Sequence, residues 1–312
     1  MPNLWSIILA GGVGRRLATE AQRRYGYARP KQFCDFDGEG TLLERTMQRA
    51  QRLTPESRVV VVTTRSHRQE AIESLRMYPE TQVVEQPLGR DTGPGILLAL
   101  RAIEREDPAA TVVMHPSDHY IHDVDGFVSH VRNGVRAAQT ASERVVLLGA
   151  HPDEAQGSPE SYGWMVPECA TATRSAVRTF REKPPVEEAE ALREAGARVN
   201  TFVMAGSLAA FVRLSEWWMP EWWQALATQE RMAVENAYRT LPAVNFSREV
   251  LEPAGRYLDM YRLDPVGWSD IGTPVRLQAA FGEMTTHSTS RLAVHSHPPA
   301  DKERRSATHN LQ

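Results

Sequence analysis

Short runs of apolar, largely β-branched residues alternate with longer amphipathic segments through the first half of the chain. A short, continuous apolar run between turn signals is typical of a strand that is buried on both faces. The predicted strands of this half are Leu4 to Leu9, Arg58 to Thr63, Thr81 to Val84, Thr111 to Met114 and Arg144 to Leu148.

The segments between these strands carry signals for helix starts. Thr41 with Glu44, and Ser66 with Gln69, fit the capping box, in which two side chains satisfy the free N–H groups of the first turn. Two further helices are predicted, over Gly95 to Glu106 and Gly126 to Gln139. Alternating strands and helices predict an α/β fold with a Rossmann-like, mostly parallel sheet and helices on both faces. Ligands are expected at the carboxyl ends of its strands.

The second half has a looser pattern, and no linker rich in proline, glycine or serine separates it from the first. We therefore expect one domain over residues 1–283, with two parts at about 1–150 and 151–283. Strands are predicted at Tyr162 to Val166, Ala176 to Arg181, Arg198 to Met204 and Tyr257 to Leu263, and helices around Val186 to Ala195 and Ser207 to Tyr238. A cluster of four tryptophans favours helix faces anchored in the core over a subunit contact or a lid: Trp217, Trp218, Trp222 and Trp223.

Residues 284–312 form a polar segment with several histidines: His287, His295, His297 and His309. This composition favours a flexible tail over a metal site. We also expect a transferase without a further domain, because the chain ends soon after the last motif discussed below.

Charge and cysteine content narrow the functional class. The 36 basic and 39 acidic residues give a net charge of −3, so no overall field draws the protein onto nucleic acid or an anionic membrane. The two cysteines, Cys34 and Cys169, lack the spacing of a disulfide framework or a zinc site.

The first residues lack a basic signal-peptide region, and no apolar run reaches the length of a membrane span. We expect a cytoplasmic protein; the sequence leaves the oligomeric state open, a homo-oligomer included.

Lysine is rare in this chain, since Lys31, Lys183 and Lys302 are the only lysines among the 36 basic residues. A position that keeps lysine against such a bias is a candidate for a role that needs a compact ammonium group.

A glycine-rich segment, Leu9-Ala10-Gly11-Gly12-Val13-Gly14-Arg15-Arg16-Leu17, follows the first predicted strand. Glycines in this position let the backbone approach a ligand and direct N–H groups at phosphate oxygens. The segment is not the dinucleotide fingerprint, because Leu17 replaces the third glycine, and it lacks the lysine of a P-loop. Taken alone, the glycines fit an ordinary strand-to-loop turn equally well.

Other motifs follow in a fixed order: Arg29-Pro30-Lys31-Gln32-Phe33, Glu85-Gln86-Pro87-Leu88-Gly89-Arg90-Asp91-Thr92, Pro116-Ser117-Asp118-His119, Tyr162-Gly163-Trp164, Phe180-Arg181-Glu182-Lys183-Pro184, Asn200-Thr201-Phe202, and Gly267-Trp268-Ser269-Asp270-Ile271-Gly272-Thr273. Together with the glycine segment, they resemble the signature of the sugar-1-phosphate nucleotidylyltransferases. The most similar branch joins GTP to mannose-1-phosphate. The resemblance extends from Leu9 to Thr273 and implies a nucleotide-binding part about 1–150 and a sugar-binding part about 151–283.

The resemblance also implies roles for individual residues. Arg16 and Lys31 are the catalytic cations, which act on the departing pyrophosphate and on the phosphoryl oxygens. The nucleotide is held by the glycine segment and by the base-reading segment: Leu9, Ala10, Gly11, Gly12, Gly14, Gln86, Arg90, Asp91 and Thr92. The hexose-1-phosphate is held by Tyr162, Gly163, Glu182, Lys183 and Asn200. Asp118 and Asp270 are the ligands of Mg²⁺, a cation that prefers carboxylate and phosphate oxygens.

The chain departs from this pattern in two segments. Asp91 and Gly93 stand where the mannose branch commonly has asparagine and alanine, and Phe202 stands where a glycine is frequent. The enzymatic alternative is the same reaction with another sugar-1-phosphate, such as a heptose or glucose phosphate, or with another triphosphate. A non-catalytic sensor of nucleotide sugars, or a glycosyltransferase that uses Asp123-Val124-Asp125 as its metal motif, is the alternative from a different class.

Overall fold

The computed structural model describes residues 3–155, 157–228 and 230–282, with eleven strands. They are β1 (Leu4–Leu9), β2 (Val59–Thr64), β3 (Gln82–Gln86), β4 (Thr111–Pro116), β5 (Tyr120–Ile121), β6 (Val145–Ala150), β7 (Gly163–Pro167), β8 (Arg174–Glu182), β9 (Arg198–Ser207), β10 (Leu258–Arg262) and β11 (Trp268–Ser269). The strand predictions are confirmed to within a few residues, whereas β5 and β11 were not predicted.

The α-helices of the described residues are α1 (Ala18–Tyr25), α2 (Leu42–Gln51), α3 (Arg68–Leu75), α4 (Thr92–Glu106), α5 (Val124–Thr140), α6 (Val186–Glu194), α7 (Leu208–Trp218), α8 (Pro220–Ala225), α9 (Arg231–Thr240) and α10 (Pro274–Phe281). The segment predicted as helical from Ser207 to Tyr238 thus contains three helices, with Pro220 opening the second. Of the four tryptophans, Trp222 is buried in the core, as predicted, while Trp217 keeps 47% of its surface exposed.

Nine of the strands form one sheet in the order β3-β2-β1-β4-β9-β6-β10-β8-β7. The pairings make seven of these nine described strands run in one direction, and β8 and β9 run against them. The predicted α/β class with a mostly parallel sheet is therefore confirmed. The two reversed strands belong to the second half of the chain, where the pattern of hydrophobic positions was looser.

Helices cover both faces of the sheet because successive side chains of a strand point to opposite faces. In β1, Ile7 packs into the cluster that contains the apolar side of α4, while Ile8 packs with Leu43 and Met47 of α2. A third cluster joins the sheet to Val131 and other residues of α5. The strands predicted as buried thus lie between two helical layers, except for β3. This strand lies at the edge of the sheet and is only partly buried, with Val83 50% exposed.

One of the two predicted capping boxes is present. Thr41 and Glu44 exchange both hydrogen bonds at the start of α2, as predicted. The prediction for Ser66 and Gln69 is wrong, because residues Arg65–His67 form a 3₁₀ turn and α3 begins only at Arg68 without a side-chain cap. The hydroxyl of Ser66 lies instead 3.0 Å from that of Thr64.

The two-residue strands β5 and β11 pair with each other in antiparallel fashion, outside the main sheet. Trp268 lies opposite Ile121 and Ser269 lies opposite Tyr120. Because β5 begins two residues after Asp118 and β11 ends one residue before Asp270, this pairing brings the two aspartates to the same edge of the molecule.

Cys34 is buried, Cys169 is exposed, and both are free thiols. No helix in the described part of the chain has the length and apolar character to cross a membrane. The predicted tail of residues 284–312, with its histidines, lies outside the described residues.

Candidate functional site

The glycine segment leaves the carboxyl end of β1 and passes over the turn that carries Lys31. Gly14 has φ +64°, and a Cβ at this position would lie 2.8 Å from the backbone nitrogen of Lys31. Only glycine fits this combination of left-handed backbone and close backbone contact. Ala10 is still tied to the sheet, through a 2.7 Å hydrogen bond from its N–H to Val62, and Gly12 is exposed. Leu9, the last residue of β1, is partly buried.

Lys31 connects the two aspartates that were predicted to bind metal. Its ammonium nitrogen lies 3.2 Å from Oδ2 of Asp118, and it donates to the backbone oxygens of Asp270 at 2.5 Å and Ile271 at 3.3 Å. The side chain of Lys31 is only 13% exposed. Residues from three distant segments of the sequence therefore meet at one cation.

Arg16 lies close to the loop that contains Asp270. Its side chain is exposed, and a Cβ at Gly272 would lie 3.4 Å from its Nη1 atom. The same Cβ on Gly272 would lie 2.9 Å from Oδ2 of Asp270 and 3.0 Å from Nη1 of Arg276. Gly272 is thus surrounded by three charged groups that a side chain would push apart.

Arg276 belongs to this cluster, although it was not predicted. It lies in the first turn of α10, is buried, donates to Oδ1 of Asp270 at 2.7 Å, and places its guanidinium 4.6 Å from the centre of the Tyr162 ring. Burial alone would raise the pKa of Asp270, but Arg276, His119 and Lys31 outweigh it and hold that pKa below its ordinary value. No motif in the sequence marks an arginine at this position.

His119 and Trp268 form a second contact between the two aspartate loops. The indole nitrogen of Trp268 donates to Nδ1 of His119 at 3.1 Å, and Nε2 of His119 lies 3.9 Å from Oδ1 of Asp118. Burial lowers the pKa of His119 to about 4, so the ring is neutral near pH 7. Both residues lie inside motifs that the sequence analysis quoted, but no role was predicted for them.

The acidic residues can be tested as a magnesium site. Among the described residues, no three His, Cys, Asp or Glu side chains gather as a metal centre. Asp118 and Asp270 are nevertheless brought to one edge and are partly open, with 29% and 20% of their side-chain surface exposed. Two carboxylates fit Mg²⁺ when phosphate oxygens complete its coordination, which is the usual arrangement for this ion.

The alternative metal motif, Asp123-Val124-Asp125, is used differently. Asp123 caps α5 by accepting a hydrogen bond from Gly126, and Asp125 forms an ion pair with Arg52 at 2.6 Å. Both carboxylates are thus occupied at the start of a helix, and this part of the structure does not favour the glycosyltransferase alternative.

Gln86 lies buried at the end of β3, between the glycine segment and α4. A Cβ on Gly11 would lie 2.9 Å from its Nε2 atom, and one on Gly95 would lie 2.8 Å from the same atom. Its Oε1 atom accepts a hydrogen bond from the hydroxyl of Tyr238 at 3.3 Å. The predicted nucleotide residues Gly11 and Gln86 are therefore in direct contact.

The remaining base-reading residues make contacts within the protein. Arg90 donates to the backbone oxygens of Tyr238 at 2.6 Å and Arg239 at 3.0 Å, both in the last turn of α9. Asp91 caps α4 with φ +64°, and Thr92 accepts a hydrogen bond from the N–H of Phe246 at 2.9 Å. The side chain of Arg90 thus binds a helix end, and the structure does not bring it together with Lys31 and the aspartates.

Gly93, one of the departures from the mannose branch, has a packing reason. A Cβ there would lie 2.9 Å from Cε of Met219 and 3.0 Å from the backbone oxygen of Val244. Its N–H also donates to that oxygen at 2.9 Å. In this chain, the segment that follows α9 presses so closely on the start of α4 that alanine would force it to move.

The predicted sugar residues lie together at the junction of β7, β8 and β9. A Cβ on Gly163 would lie 2.6 Å from the carboxylate of Glu182 and 3.4 Å from Cβ of Asn200. Lys183 has φ +50°, and its ammonium lies 3.4 Å from Glu182. Burial raises the pKa of Glu182, and burial also raises the pKa of Tyr162. The absence of a side chain on Gly163 leaves the space that the Glu182 carboxylate fills.

Phe202 adopts φ +58°, a left-handed conformation that favours glycine. It lies two residues after Asn200, whose side-chain oxygen accepts a hydrogen bond from the N–H of Phe202 at 3.0 Å. The register between β6 and β9 shifts at this point. The backbone therefore keeps the shape that a glycine would take, although the residue is phenylalanine.

The chain belongs to a known protein family. The family model for nucleotidyl transferases matches residues 5–287. Over 203 residues the chain is 32% identical to the mannose-1-phosphate guanylyltransferase of Escherichia coli (strain K12), which covers 62% of this chain and 40% of that protein. It is 31% identical over 199 residues to the xanthan biosynthesis protein XanB of Xanthomonas campestris pv. campestris (strain B100), with coverage of 63% and 40%. The match thus spans two fifths of the length of these curated relatives.

Solved structures share the fold. The mannose-1-phosphate geranyltransferase of Thermus thermophilus is 26% identical, with a TM-score of 0.74 over 90% of this chain and 80% of that one. The mannose-6-phosphate isomerase of Helicobacter pylori is 17% identical, with a TM-score of 0.67 over 86% of this chain and 99% of that one, a likeness of fold alone.

Proposed function

Because the chain belongs to the nucleotidyl transferase family, we propose that it is a sugar-1-phosphate nucleotidyltransferase that joins mannose-1-phosphate to GTP and releases pyrophosphate. The names of relatives such as the guanylyltransferase of E. coli support this pair of substrates. The ordered motifs support it from the sequence. Both proposed substrates are small phosphate compounds. We also propose a cytoplasmic location, which is the expectation from the sequence.

The observation that carries the proposal is the convergence of Lys31, Asp118 and Asp270 beside the glycine segment. In the proposed reaction, a phosphate oxygen of the sugar phosphate attacks the α-phosphorus of the triphosphate, and the bond from that phosphorus to the β-phosphate oxygen breaks. Two anions must approach each other, so catalysis depends on positioning and on neutralising charge. A nearly buried ammonium is suited to this task, because it acts in a site of low dielectric constant.

Each cation of the cluster has a distinct proposed task. Lys31 contacts the phosphoryl oxygens where charge develops, and Arg16 stabilises the departing pyrophosphate. Arg276 keeps the Asp270 carboxylate ionised and fixed in direction, through its 2.7 Å hydrogen bond. Asp118 and Asp270 would hold Mg²⁺, which would supply further positive charge next to the phosphates.

The remaining predicted residues are proposed to select the substrates. Tyr162, Gly163, Glu182 and Asn200 line the sugar site, where Glu182 accepts hydrogen bonds from hydroxyl groups, and Lys183 holds the sugar phosphate. Leu9, Ala10, Gly11, Gly12 and Gly14 cradle the triphosphate, while Gln86, Asp91 and Thr92 lie nearest the base. Arg90 would contribute by holding α9 in place behind that segment, since its guanidinium binds the end of this helix.

The proposal is tested with the purified protein, Mg²⁺ and a panel of triphosphates and sugar-1-phosphates, with pyrophosphate as the product measured. We expect the highest kcat/KM with GTP and mannose-1-phosphate. A Lys31→Met protein prepared in the same way controls for contaminating enzymes and should form little pyrophosphate.

The other outcomes decide between the alternatives. A higher kcat/KM with a heptose or glucose phosphate, or with another triphosphate, would retain the reaction and change its substrates. A folded protein that forms no pyrophosphate with any pair, but binds nucleotide sugars, would contradict the enzyme assignment and favour a sensor.

A further inference from the structure

Gln32 is a buried polar residue next to the catalytic lysine, and the proposed function assigns it no task. It lies in the 3₁₀ turn Lys31–Phe33 and is 1% exposed. Its Nε2 atom donates to the backbone oxygen of Ala10 at 3.0 Å and to that of Gly12 at 2.7 Å. Both amide hydrogens of this side chain are therefore used on the glycine segment.

These two hydrogen bonds fix the orientation of two peptide groups. In a planar trans peptide, the N–H points opposite to the C=O of the preceding residue. Since the oxygens of Ala10 and Gly12 both point at Gln32, the N–H groups of Gly11 and Val13 point away from it. Neither of these N–H groups donates to an acceptor within the described residues.

Gly12 and Val13, next to these N–H groups, are open to solvent. A Cβ on Gly12 would meet nothing within 4 Å, and Val13 keeps 56% of its surface exposed. Two backbone donors that both point away from Gln32, on a segment that is open to solvent, can form a small anion-binding surface, which adjacent peptide dipoles strengthen. The ammonium of Lys31 leaves the same turn as Gln32, so one short segment supplies both the charge and the support of the loop.

We propose that Gln32 is a positioning residue that holds the glycine segment in the conformation whose N–H groups bind the polyphosphate of the nucleotide. The proposal rests on the proposed function, because it takes a nucleoside triphosphate as the ligand. It needs an amide at this position: a carboxylate would repel the two carbonyl oxygens, and an apolar side chain would leave both without a donor.

The test compares wild type with Gln32→Met, which keeps the length of the side chain but removes its donor. Ser215→Ala is the matched control, because it removes another buried hydrogen bond from a side chain to a backbone oxygen, in α7. The dissociation constants for inorganic tripolyphosphate and for GTP are measured by calorimetry, the KM for the sugar phosphate by kinetics, and the melting temperature by circular dichroism.

We expect Gln32→Met to bind both tripolyphosphate and GTP at least tenfold more weakly, with the KM for the sugar phosphate changed less than twofold. Hydrogen–deuterium exchange of residues 11–13 should slow on addition of tripolyphosphate in wild type and much less in Gln32→Met. Ser215→Ala should match wild type in all binding measurements. If Gln32→Met fails to fold, Gln32→Asn serves instead, because its amide is too short to reach both carbonyl oxygens.

Equal affinity of wild type and Gln32→Met for tripolyphosphate would overturn the inference. So would an equal weakening of nucleotide and sugar phosphate together with a lower melting temperature, since this would indicate general destabilisation. Failure of the proposed function is distinguishable: if the wild type binds tripolyphosphate more tightly than Gln32→Met does but turns over no triphosphate, the enzyme assignment alone is contradicted. A wild type that binds no tripolyphosphate contradicts this inference.

Discussion

At the scale of single residues, Lys31 is the clearest case of a position whose contacts require one particular side chain. Its ammonium nitrogen lies within 3.3 Å of three oxygens that belong to Asp118, Asp270 and Ile271. An ammonium group can direct its three hydrogens at acceptors around it, whereas a guanidinium is a planar fork that spreads its donors over a wider area. This contact set explains why a chain so poor in lysine uses lysine here.

The exchange Lys31→Arg should therefore lower kcat by about a hundredfold or more, the range for loss of one preorganised electrostatic group. The charge is conserved, but its position is not. The matched control is Arg52→Lys, which makes the reverse exchange in an exposed ion pair and should leave kcat within about twofold of wild type. Steady-state kinetics and melting temperatures decide the result; near-normal activity of Lys31→Arg would show that the exact position of this cation is unimportant.

The sequence identified some members of this cluster and missed others for a physical reason. Lys31, Asp118 and Asp270 lie in motifs that resemble a known signature. Arg276 takes part because the first turn of α10 packs beside Asp270, and no local pattern encodes that packing. For Arg90 the resemblance implied a place in the base-reading segment, and the contact of its guanidinium with the open carbonyls at the end of α9 was not predicted. Such contacts depend on segments that are distant in sequence.

At the scale of elements, the pairing of β5 with β11 determines the site. Each strand has two residues, which is too short for any periodicity to be recognised, so only the structure reveals them. Four longer strands of the first half, β1, β2, β4 and β6, were predictable because each is an almost continuous buried run. The edge strand β3 is only partly buried. Ser66 shows the limit of short motifs: its spacing to Gln69 fits a capping box, but the 3₁₀ turn at Arg65–His67 moves the helix start.

Because the pairing of β5 with β11 brings the loops of Asp118 and Asp270 together, the two aspartates should act as one unit. Asp118→Asn and Asp270→Asn should each depress kcat strongly and raise the Mg²⁺ concentration needed for half-maximal rate. The double variant should lose much less than the product of the two single losses. The measurement is rate against Mg²⁺ concentration for all three proteins, with Asp125→Asn, in an exposed ion pair, as the control.

Stability separates a catalytic from a structural role in the same variants. Asp270→Asn should destabilise the protein at neutral pH, because it removes the charged partner of buried Arg276. The pKa of Asp270 is lower in the folded protein than in the unfolded chain. The stabilisation that the ionised Asp270 gives to wild type is therefore complete above the ordinary carboxyl pKa of about 4, and it is lost as pH falls through the folded-state pKa. Losses of kcat that simply multiply, measured in variants that remain folded at neutral pH, would contradict the shared site.

At the scale of the whole molecule, backbone strain is concentrated at the proposed site. In the described residues, the non-glycine positions with positive φ are Asp91, Lys183, Phe202 and Ile271. The first lies in the base segment, the next two lie in the sugar part, and the last follows Asp270. Such conformations cost on the order of 1–3 kcal/mol each and persist only where the surrounding structure enforces them. The rest of the fold supplies the stability that holds these four positions.

Part of that stability should depend on pH through a histidine in the middle of the sheet. His115 lies in β4, is 3% exposed, and its Nε2 atom has no hydrogen-bond partner among the described residues. Burial lowers the pKa of His115 to about 3, and the nearby charge of Arg49 acts in the same direction. The folded protein therefore keeps this ring neutral, whereas the unfolded chain binds a proton below about pH 6.5.

The unfolded state thus binds more protons than the folded state between about pH 3 and pH 6.5, so stability falls as pH falls through this window. From pH 7 to pH 5 the contribution of His115 to the free energy of unfolding should decrease by about 2 kcal/mol, since each pH unit below the unfolded pKa is worth about 1.4 kcal/mol. In His115→Gln this decrease should be absent. The substitution itself can lower the free energy of unfolding, but by the same amount at each pH. Urea unfolding at pH 5, 6 and 7 measures the difference, with His122→Gln as the control at an exposed histidine. Parallel pH curves for wild type and His115→Gln would mean that His115 accepts a proton in the folded state as easily as in the unfolded chain.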